Sequence, residues 1–168
     1  MAVNEHSILV SLGNLALTYG KLGRLDEALS RRQEVYSRTL KLCGEEHIES
    51  LMEAYNYSLA LNRLKHFKES KALLREKMLV ARRVLGEEHT LTLKIRDSYA
   101  EALYKDGGGT LDDLREVVTT LEDTVRIARR VLGGAHPLTK VIEHNLPKAR
   151  AALRVREAPP PSSPSESV

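Results

Sequence analysis

A nine-residue phrase recurs through the chain and divides it into units of nearly equal length. It reads ARRVLGEEH up to His89 and ARRVLGGAH up to His136, and a looser version, TLKLCGEEH, ends at His47. These histidines are 42 and then 47 residues apart, and the five extra residues fall in KDGGG at 105–109. Repeats of this length indicate a solenoid, because one unit cannot bury its apolar face without a stacked neighbour.

Each unit carries two stretches in which apolar residues recur every three or four positions, which is the period of an amphipathic helix. In the first unit a turn containing Gly23 separates the two stretches, and Gly44 ends the second. Gly86 and Gly133 take the same place in the next units, where we expect them to end helices in a left-handed conformation. The pattern predicts an all-α solenoid of stacked antiparallel helix pairs.

The repeat also predicts how the chain is divided. We expect units at about 5–46, 47–88 and 89–135, and a partial unit at 136–157 that supplies one helix. Pro147 falls inside that last helix and predicts a bend or an early end, since proline removes a backbone hydrogen bond. Residues 158–168, APPPSSPSESV, are too rich in proline and serine to pack, so we expect a disordered tail there.

Composition limits where such a chain works. It has one cysteine, which excludes an intramolecular disulfide and favours a reducing compartment. The first residues show no signal peptide, and no stretch approaches the roughly 20 apolar residues that a membrane span needs. The expected location is therefore cytoplasmic. The sequence gives no indication of an oligomeric state.

Two short motifs resemble the tetratricopeptide repeat. LALTY at 15–19 is similar to its Leu-small-x-x-Tyr signature, and GRLDEA at 23–28 to its turn motif. The chain resembles the kinesin light chain subclass over about residues 5–155. The resemblance rests on the 42-residue period and on the stretches NLALTYGKLGRLDEAL and LGGAHPLT. The resemblance implies a right-handed solenoid whose concave face, lined by the first helix of each pair, binds a protein or peptide.

The resemblance also implies which residues contact that partner. Its contact position, just before the Leu-small pair, is occupied here by Asn14, Asn56, Ser98 and Asn145. An asparagine can pair with a peptide unit of any sequence, because its amide both donates and accepts hydrogen bonds. Four residues earlier stand Val10, Met52, Lys94 and Val141, which suggest a peptide with apolar and acidic parts. The candidate peptide-binding residues are Asn14, Asn56, Lys94, Ser98 and Asn145.

The sequence shows no motif typical of a catalytic, metal or cofactor site. The histidines lack the close spacing of a zinc site, and Cys43 replaces an apolar leucine of the repeat, so we expect it in the core. DGGGT at 106–110 lacks the lysine of a phosphate loop, and Thr110 with Asp113 predicts a helix-capping box. The Gly-x-x-His loops are interpreted as helix punctuation. We therefore predict no enzyme activity, no metal and no cofactor.

A basic segment near the end leaves a second interpretation open. Residues 126–156 hold eight basic side chains and one acidic one. This makes an anionic partner conceivable, through a patch at Arg126, Arg129, Arg130, Lys148 and Arg150. RNA is the less favoured partner, because recurring basic or stacking residues are missing. A further alternative is that the chain is a structural fragment of a larger multidomain protein.

Overall fold

Seven α-helices form the computed structural model over residues 4–158, which is the part of the chain that the structure describes. No strand occurs in that range, so the predicted all-α fold is confirmed. The tail expected to be disordered lies outside the described residues from 159 onward. The helices are α1 Glu5–Lys21, α2 Leu25–Cys43, α3 Ile48–Arg63, α4 Phe67–Leu85, α5 Thr90–Lys105, α6 Leu111–Leu132 and α7 Pro137–Glu157.

Each helix packs against the next one along the chain, and α5 also packs against α3 and α7. Helix α5 is consequently the centre of the core, where Leu93, Ile95, Tyr99 and Leu103 are almost fully buried. Helix α1 packs on α2 but makes little contact with α3. The first helices of the first two pairs, α1 and α3, are thus joined less closely than α3 and α5 or α5 and α7. None of the helices described combines the length and apolar character that a membrane crossing requires.

The repeated phrase marks the joints between helix pairs. Gly44, Gly86 and Gly133 follow the ends of α2, α4 and α6 with φ of 86°, 89° and 85°. Their ψ values of 170°, 166° and 156° differ from the left-handed helical conformation we expected. They place these residues in an extended region with positive φ that is essentially restricted to glycine.

The histidine of each phrase caps the next helix. Backbone N–H groups donate to Nδ1 of His47, His89 and His136 over 3.3, 3.1 and 3.1 Å. The prediction that these loops separate consecutive helices is confirmed, and Pro137 occupies the first turn of α7, where proline is favoured. The capping role of the histidine was not predicted, because histidine is not among the preferred N-cap residues.

The five-residue insertion is accommodated between α5 and α6. Thr110 and Asp113 form the predicted capping box, in which the Asp113 N–H donates to Thr110 Oγ1 at 3.1 Å. The Thr110 N–H donates in return to Asp113 Oδ2 at 2.8 Å. The insertion lengthens the turn and the start of α6, which has 22 residues where α2 and α4 have 19, and it leaves the repeat register on both sides intact.

The structure excludes one of the two alternatives predicted at Pro147 and corrects the prediction for Cys43. Helix α7 does not end at Pro147 but continues to Glu157. Its proline is tolerated because Pro147 is exposed, and water can satisfy the backbone carbonyl that loses its partner. Cys43 is half-buried rather than a core residue, and its thiol donates to Glu49 Oε2 at 3.6 Å.

Candidate functional site

A cleft lies between α1 and α3. Two adjoining hollows of about 330 and 370 Å³ run along it, and both are lined by Leu17 and Arg32. Apolar side chains remain open to solvent there: Val10 is 52% exposed, Leu17 48%, Met52 37% and Leu59 36%. Single exposed apolar residues are ordinary, but several that line one groove mark a surface suited to an interaction.

The lining follows the repeat on both helices. Its residues are spaced by four and three positions, which places them on one helical face. They are Val10, Asn14 and Leu17 on α1, and Met52, Asn56 and Leu59 on α3. Leu17 and Leu59 were missed by the sequence analysis, although their separation of 42 residues and their distance of seven from Val10 and Met52 could have indicated them.

A charged pair forms part of the cleft wall. Arg32 Nη1 of α2 lies 3.5 Å from Glu53 Oε2 of α3, with side chains only 16% and 22% exposed. Asn56 Nδ2 donates to the other oxygen of Glu53 at 3.3 Å. The side-chain oxygen Oδ1 of Asn56 forms no hydrogen bond with any described residue, and neither does the side-chain amide of the exposed Asn14. These two amides are therefore available to a ligand.

Lys94 lies on α5 at the equivalent position to Met52. It is half-buried, and its Nζ lies 6.0 Å from the centroid of the Tyr55 ring, at the edge of the cation–π range. No carboxylate of the described residues lies within ion-pair distance of it. Lys94 therefore offers a positive charge without an acidic partner beside Tyr55, but it does not line either hollow, whose α5 wall is formed by Glu101 and Lys105.

Ser98 occupies the predicted contact position of α5 but is buried, with 2% of its surface exposed. Its hydroxyl lies 3.4 Å from Ser58 Oγ and accepts from Asn62 Nδ2 at 3.4 Å. Because α3 and α5 pack closely together, these polar groups bind one another. Ser98 is therefore placed in an interhelical contact, contrary to its assignment as a peptide ligand.

Asn145 occupies the same position on α7 and is also buried, with 7% exposed. Its Nδ2 donates to Asp97 Oδ1 at 2.9 Å, and its Oδ1 accepts from the Tyr104 hydroxyl at 3.1 Å. The amide thus joins α7 to α5 and is not presented to a groove. Of the five predicted peptide-binding residues, only Asn14, Asn56 and Lys94 remain accessible enough to serve.

Asp97 is the most perturbed carboxyl of this face. Burial raises its pKa to about 6, partly opposed by the hydrogen bond from Asn145. Nearby Glu101 raises the pKa further, and Lys148 lowers it. A carboxyl in this position changes its charge between mildly acidic and neutral pH.

The predicted anionic-partner patch is largely neutralised. Four of its five members pair with acidic side chains: Arg126 with Asp123 (2.8 Å), Arg129 with Glu143 (2.5 Å), Arg130 with Glu88 (2.5 Å) and Arg150 with Glu122 (2.6 Å). Only Arg126 and Arg130 line a common cleft, which also holds acidic residues. Lys148 is exposed and has no acidic partner within ion-pair distance in the described part of the chain. These five residues do not form one free basic surface.

A model of the tetratricopeptide repeat matches residues 8–49 and 55–91, which hold α1, α2, α3 and α4. The chain belongs to the tetratricopeptide repeat family. A tetratricopeptide fold suits the binding of proteins, and the family is typically non-catalytic. No curated protein sequence matches the chain significantly.

The tetratricopeptide solenoid is similar to solved structures of kinesin light chain type. Two describe the nearly identical TPR-like repeats of a protein assigned as a kinesin light chain of Podosopora anserina, one a single-substitution variant. Both are 25% identical and cover 93% of this chain and 72% of that one, with TM-scores of 0.75 and 0.72. BtubC (BKLC) from P. vanneervenii shares the fold at 15% identity, with a TM-score of 0.69, covering 100% of this chain and 72% of its own. The repeats are kinesin light chain-like.

Proposed function

We propose that the chain is a non-catalytic interaction module that binds a segment of another protein in the cleft between α1 and α3. The observation that carries this proposal is the set of exposed apolar side chains, Val10, Leu17, Met52 and Leu59, around the Asn14 amide and the free side-chain oxygen of Asn56. Apolar grooves with a few polar groups that fix orientation are typical of binding sites. We place this function in the cytoplasm.

The lining indicates the chemistry of the partner. Apolar side chains would cover the exposed leucines, valine and methionine, while the two asparagine amides pair with the partner's backbone, which has the same groups in every sequence. Lys94, which lies beside Tyr55 of α3 and has no acidic partner among the described residues, favours an acidic residue in a partner that extends beyond the cleft to this part of α5. A segment with apolar residues followed by an acidic one therefore fits better than a basic one.

A random peptide library displayed on phage supplies a defined ligand for the test. Peptides selected on the wild-type chain would be synthesised and their Kd values measured by fluorescence anisotropy. We expect the double variant Asn14→Ala, Asn56→Ala to weaken binding at least about tenfold, since two buried hydrogen bonds each contribute roughly 1 kcal/mol. Leu17→Glu should weaken it similarly, because the cleft then holds an unpaired charge.

Two matched controls separate the cleft from the rest of the surface. Gln33→Ala removes an exposed amide, and Leu79→Glu adds a charge at an apolar residue that is 60% exposed, both outside the cleft. Neither should change the Kd by more than about twofold. Equal losses from Leu17→Glu and Leu79→Glu, or full binding by the double asparagine variant, would reject the cleft as the binding site. If substitution of the exposed Lys148 or of Arg150 weakens binding of the selected peptides instead, the result supports the alternative anionic-partner patch, although Arg150 is ion-paired with Glu122.

A further inference from the structure

Three side chains with metal-binding atoms meet where α2 ends and α3 begins, and a fourth, His6, lies beside one of them. The ligand atoms of Cys43, His47 and Glu49 all lie within 4.8 Å of one another. Glu49 Oε2 lies 3.6 Å from Cys43 Sγ and 3.9 Å from Nδ1 of His6, which is in the first turn of α1. The cluster therefore draws on three segments of the chain. His6 is 41 residues from His47, so spacing along the sequence did not indicate this pair.

We propose that Cys43, His47, Glu49 and His6 form a binding site for a divalent transition-metal cation of the zinc type. Thiolate, imidazole and carboxylate are the three ligand groups that zinc uses in proteins. Neighbouring ligands of a tetrahedral zinc lie roughly 3.3–3.6 Å apart, given zinc–ligand bonds of about 2.0–2.3 Å. The distance of 3.6 Å between Cys43 Sγ and Glu49 Oε2 already fits. The side chains are partly or fully exposed, so rotation about their bonds can shorten the remaining ligand–ligand distances.

The repeat itself explains only one of the four residues. His89 and His136 occupy the equivalents of His47 in the other loops and, like it, cap a helix. The equivalents of Cys43 and Glu49 are all leucines: Leu85 and Leu132, and Leu91 and Leu138. The equivalents of His6 one and two periods along are Ile48 and Thr90. Only the first loop thus replaces apolar repeat positions with a thiol and a carboxylate and adds a second imidazole beside them.

Binding would rearrange two existing hydrogen bonds. The Cys43 thiol now donates to Glu49, and burial together with this bond raises the pKa of the thiol. A dication would take the sulfur as thiolate and release its proton to solvent. His47 would exchange the cap at its Nδ1 for the metal. That cap is the longest of the three, at 3.3 Å. The loss is modest, since a helix cap contributes about 1 kcal/mol.

The site is reachable from solvent and lies at one end of the cleft. His6 and Glu49 both line the hollow that also contains Val10 and Asn14. A bound cation would join the start of α1 to the start of α3, two helices that otherwise touch little. The cation would therefore fix the width of the cleft at this end. The metal site does not depend on what the cleft binds.

The test uses the full chain freed of any histidine tag, with Zn²⁺ and Co²⁺ as probes. Calorimetry should show one Zn²⁺ per chain with a Kd in the micromolar range or below. The Co²⁺ form should show a thiolate-to-metal charge-transfer band and the intense visible bands of a four-coordinate ion. A Zn²⁺-dependent rise in the thermal unfolding temperature follows, because the cation binds the folded state.

The variants distinguish this site from weak surface binding. Cys43→Leu restores the leucine of the other loops and should abolish the charge-transfer band. His47→Asn keeps a capping side chain but removes the ligand, and should weaken Zn²⁺ binding at least about tenfold. Glu49→Gln should weaken it comparably. His89→Asn makes the same change in a loop without the cluster and should leave the affinity unchanged.

Circular dichroism verifies that each variant is folded. The proposal is overturned if the wild-type chain binds no stoichiometric Zn²⁺, if Cys43→Leu retains full affinity, or if His89→Asn weakens binding as much as His47→Asn.

Discussion

The Asn145 amide donates to the Asp97 carboxyl at 2.9 Å and thereby joins α7 to α5 inside the solenoid. The two residues are 48 positions apart and are 7% and 8% exposed. At the corresponding place on α1, Asn14 is exposed and makes no such bond with the described residues. The same position of the repeat therefore serves as an interhelical clamp at one end and as an open surface at the other.

Asp97 should make the stability of the chain depend on pH. In the unfolded chain this carboxyl ionises near 3.8, whereas in the folded chain its pKa is about 6. Between these values the folded state holds more protons, so the free energy of unfolding falls as pH rises. The decrease from pH 4 to 7 amounts to about 3 kcal/mol at most, from a shift of about two pKa units. Urea unfolding of the wild type and Asp97→Asn at both pH values measures this difference.

Asp97→Asn should lack this part of the pH dependence, while Asp26→Asn, a change at an exposed position, should keep it. Parallel pH profiles for the wild type and Asp97→Asn would show that burial does not perturb this carboxyl. The comparison cancels the other titrating groups, because the two chains share them.

Two neighbouring glycines give a test of backbone conformation. A Cβ added at Gly133 or at Gly134 would meet nothing within 4 Å, so neither site forbids alanine by collision. Gly133 has φ of 85°, whereas Gly134 does not have a positive φ of this kind. We expect Gly133→Ala to lower the free energy of unfolding by about 1–3 kcal/mol and Gly134→Ala to change it little. Chemical denaturation measures both, and equal effects would contradict the conformational explanation.

Most of the fold could be predicted from the sequence, because the same helix-pair pattern occurs three times along the chain. The apolar period, the glycines after α2, α4 and α6, and the Thr110–Asp113 capping box each follow from local rules and were predicted. At Pro147 the sequence left a bend and an early end as alternatives, and the early end is excluded because an exposed position lets solvent replace the lost hydrogen bond.

The candidate site was less predictable than the helices. Ser98 and Asn145 share a repeat position with Asn14 and Asn56, and sequence reasoning gave all four the same role. Their burial depends on how closely α5 packs against α3 and α7, which is a property of whole helices. The cluster at Cys43 was not predicted for a related reason. Helix packing brings His6 beside Glu49, although the two residues are 43 positions apart in the chain.

The capping histidines can be tested at His89, whose Nδ1 accepts from the Leu91 N–H at 3.1 Å. His89→Ala removes the acceptor and should lower the free energy of unfolding by about 1 kcal/mol. His89→Asn supplies another side-chain acceptor at the N-cap and should recover most of this loss. Thermal unfolding followed by circular dichroism orders the three chains. If the alanine and asparagine variants unfold alike, the histidine contributes through packing and not as a cap.

Lys77 of α4 is a lysine with only 4% of its surface exposed. Its Nζ lies 2.8 Å from Glu45 and 2.7 Å from Glu76, whose side chains are 50% and 61% exposed. Burial lowers the pKa of Lys77, but hydrogen bonds to the two carboxylates outweigh it and raise the pKa above its usual range. The side chain is therefore buried up to its ammonium group, which lies against two carboxylates that are themselves about half exposed.

This arrangement predicts that packing of the stem contributes more than the charge. Lys77→Met keeps the length of the side chain and should change the free energy of unfolding by less than about 1 kcal/mol, because the half-exposed carboxylates of Glu45 and Glu76 stay hydrated when the ammonium group is lost. Lys77→Ala removes buried methylene groups and should cost about 2 kcal/mol or more. Urea denaturation compares the two variants. If methionine destabilises the chain as much as alanine does, the ion pair with Glu45 holds α4 to the loop between α2 and α3, and packing of the stem contributes less.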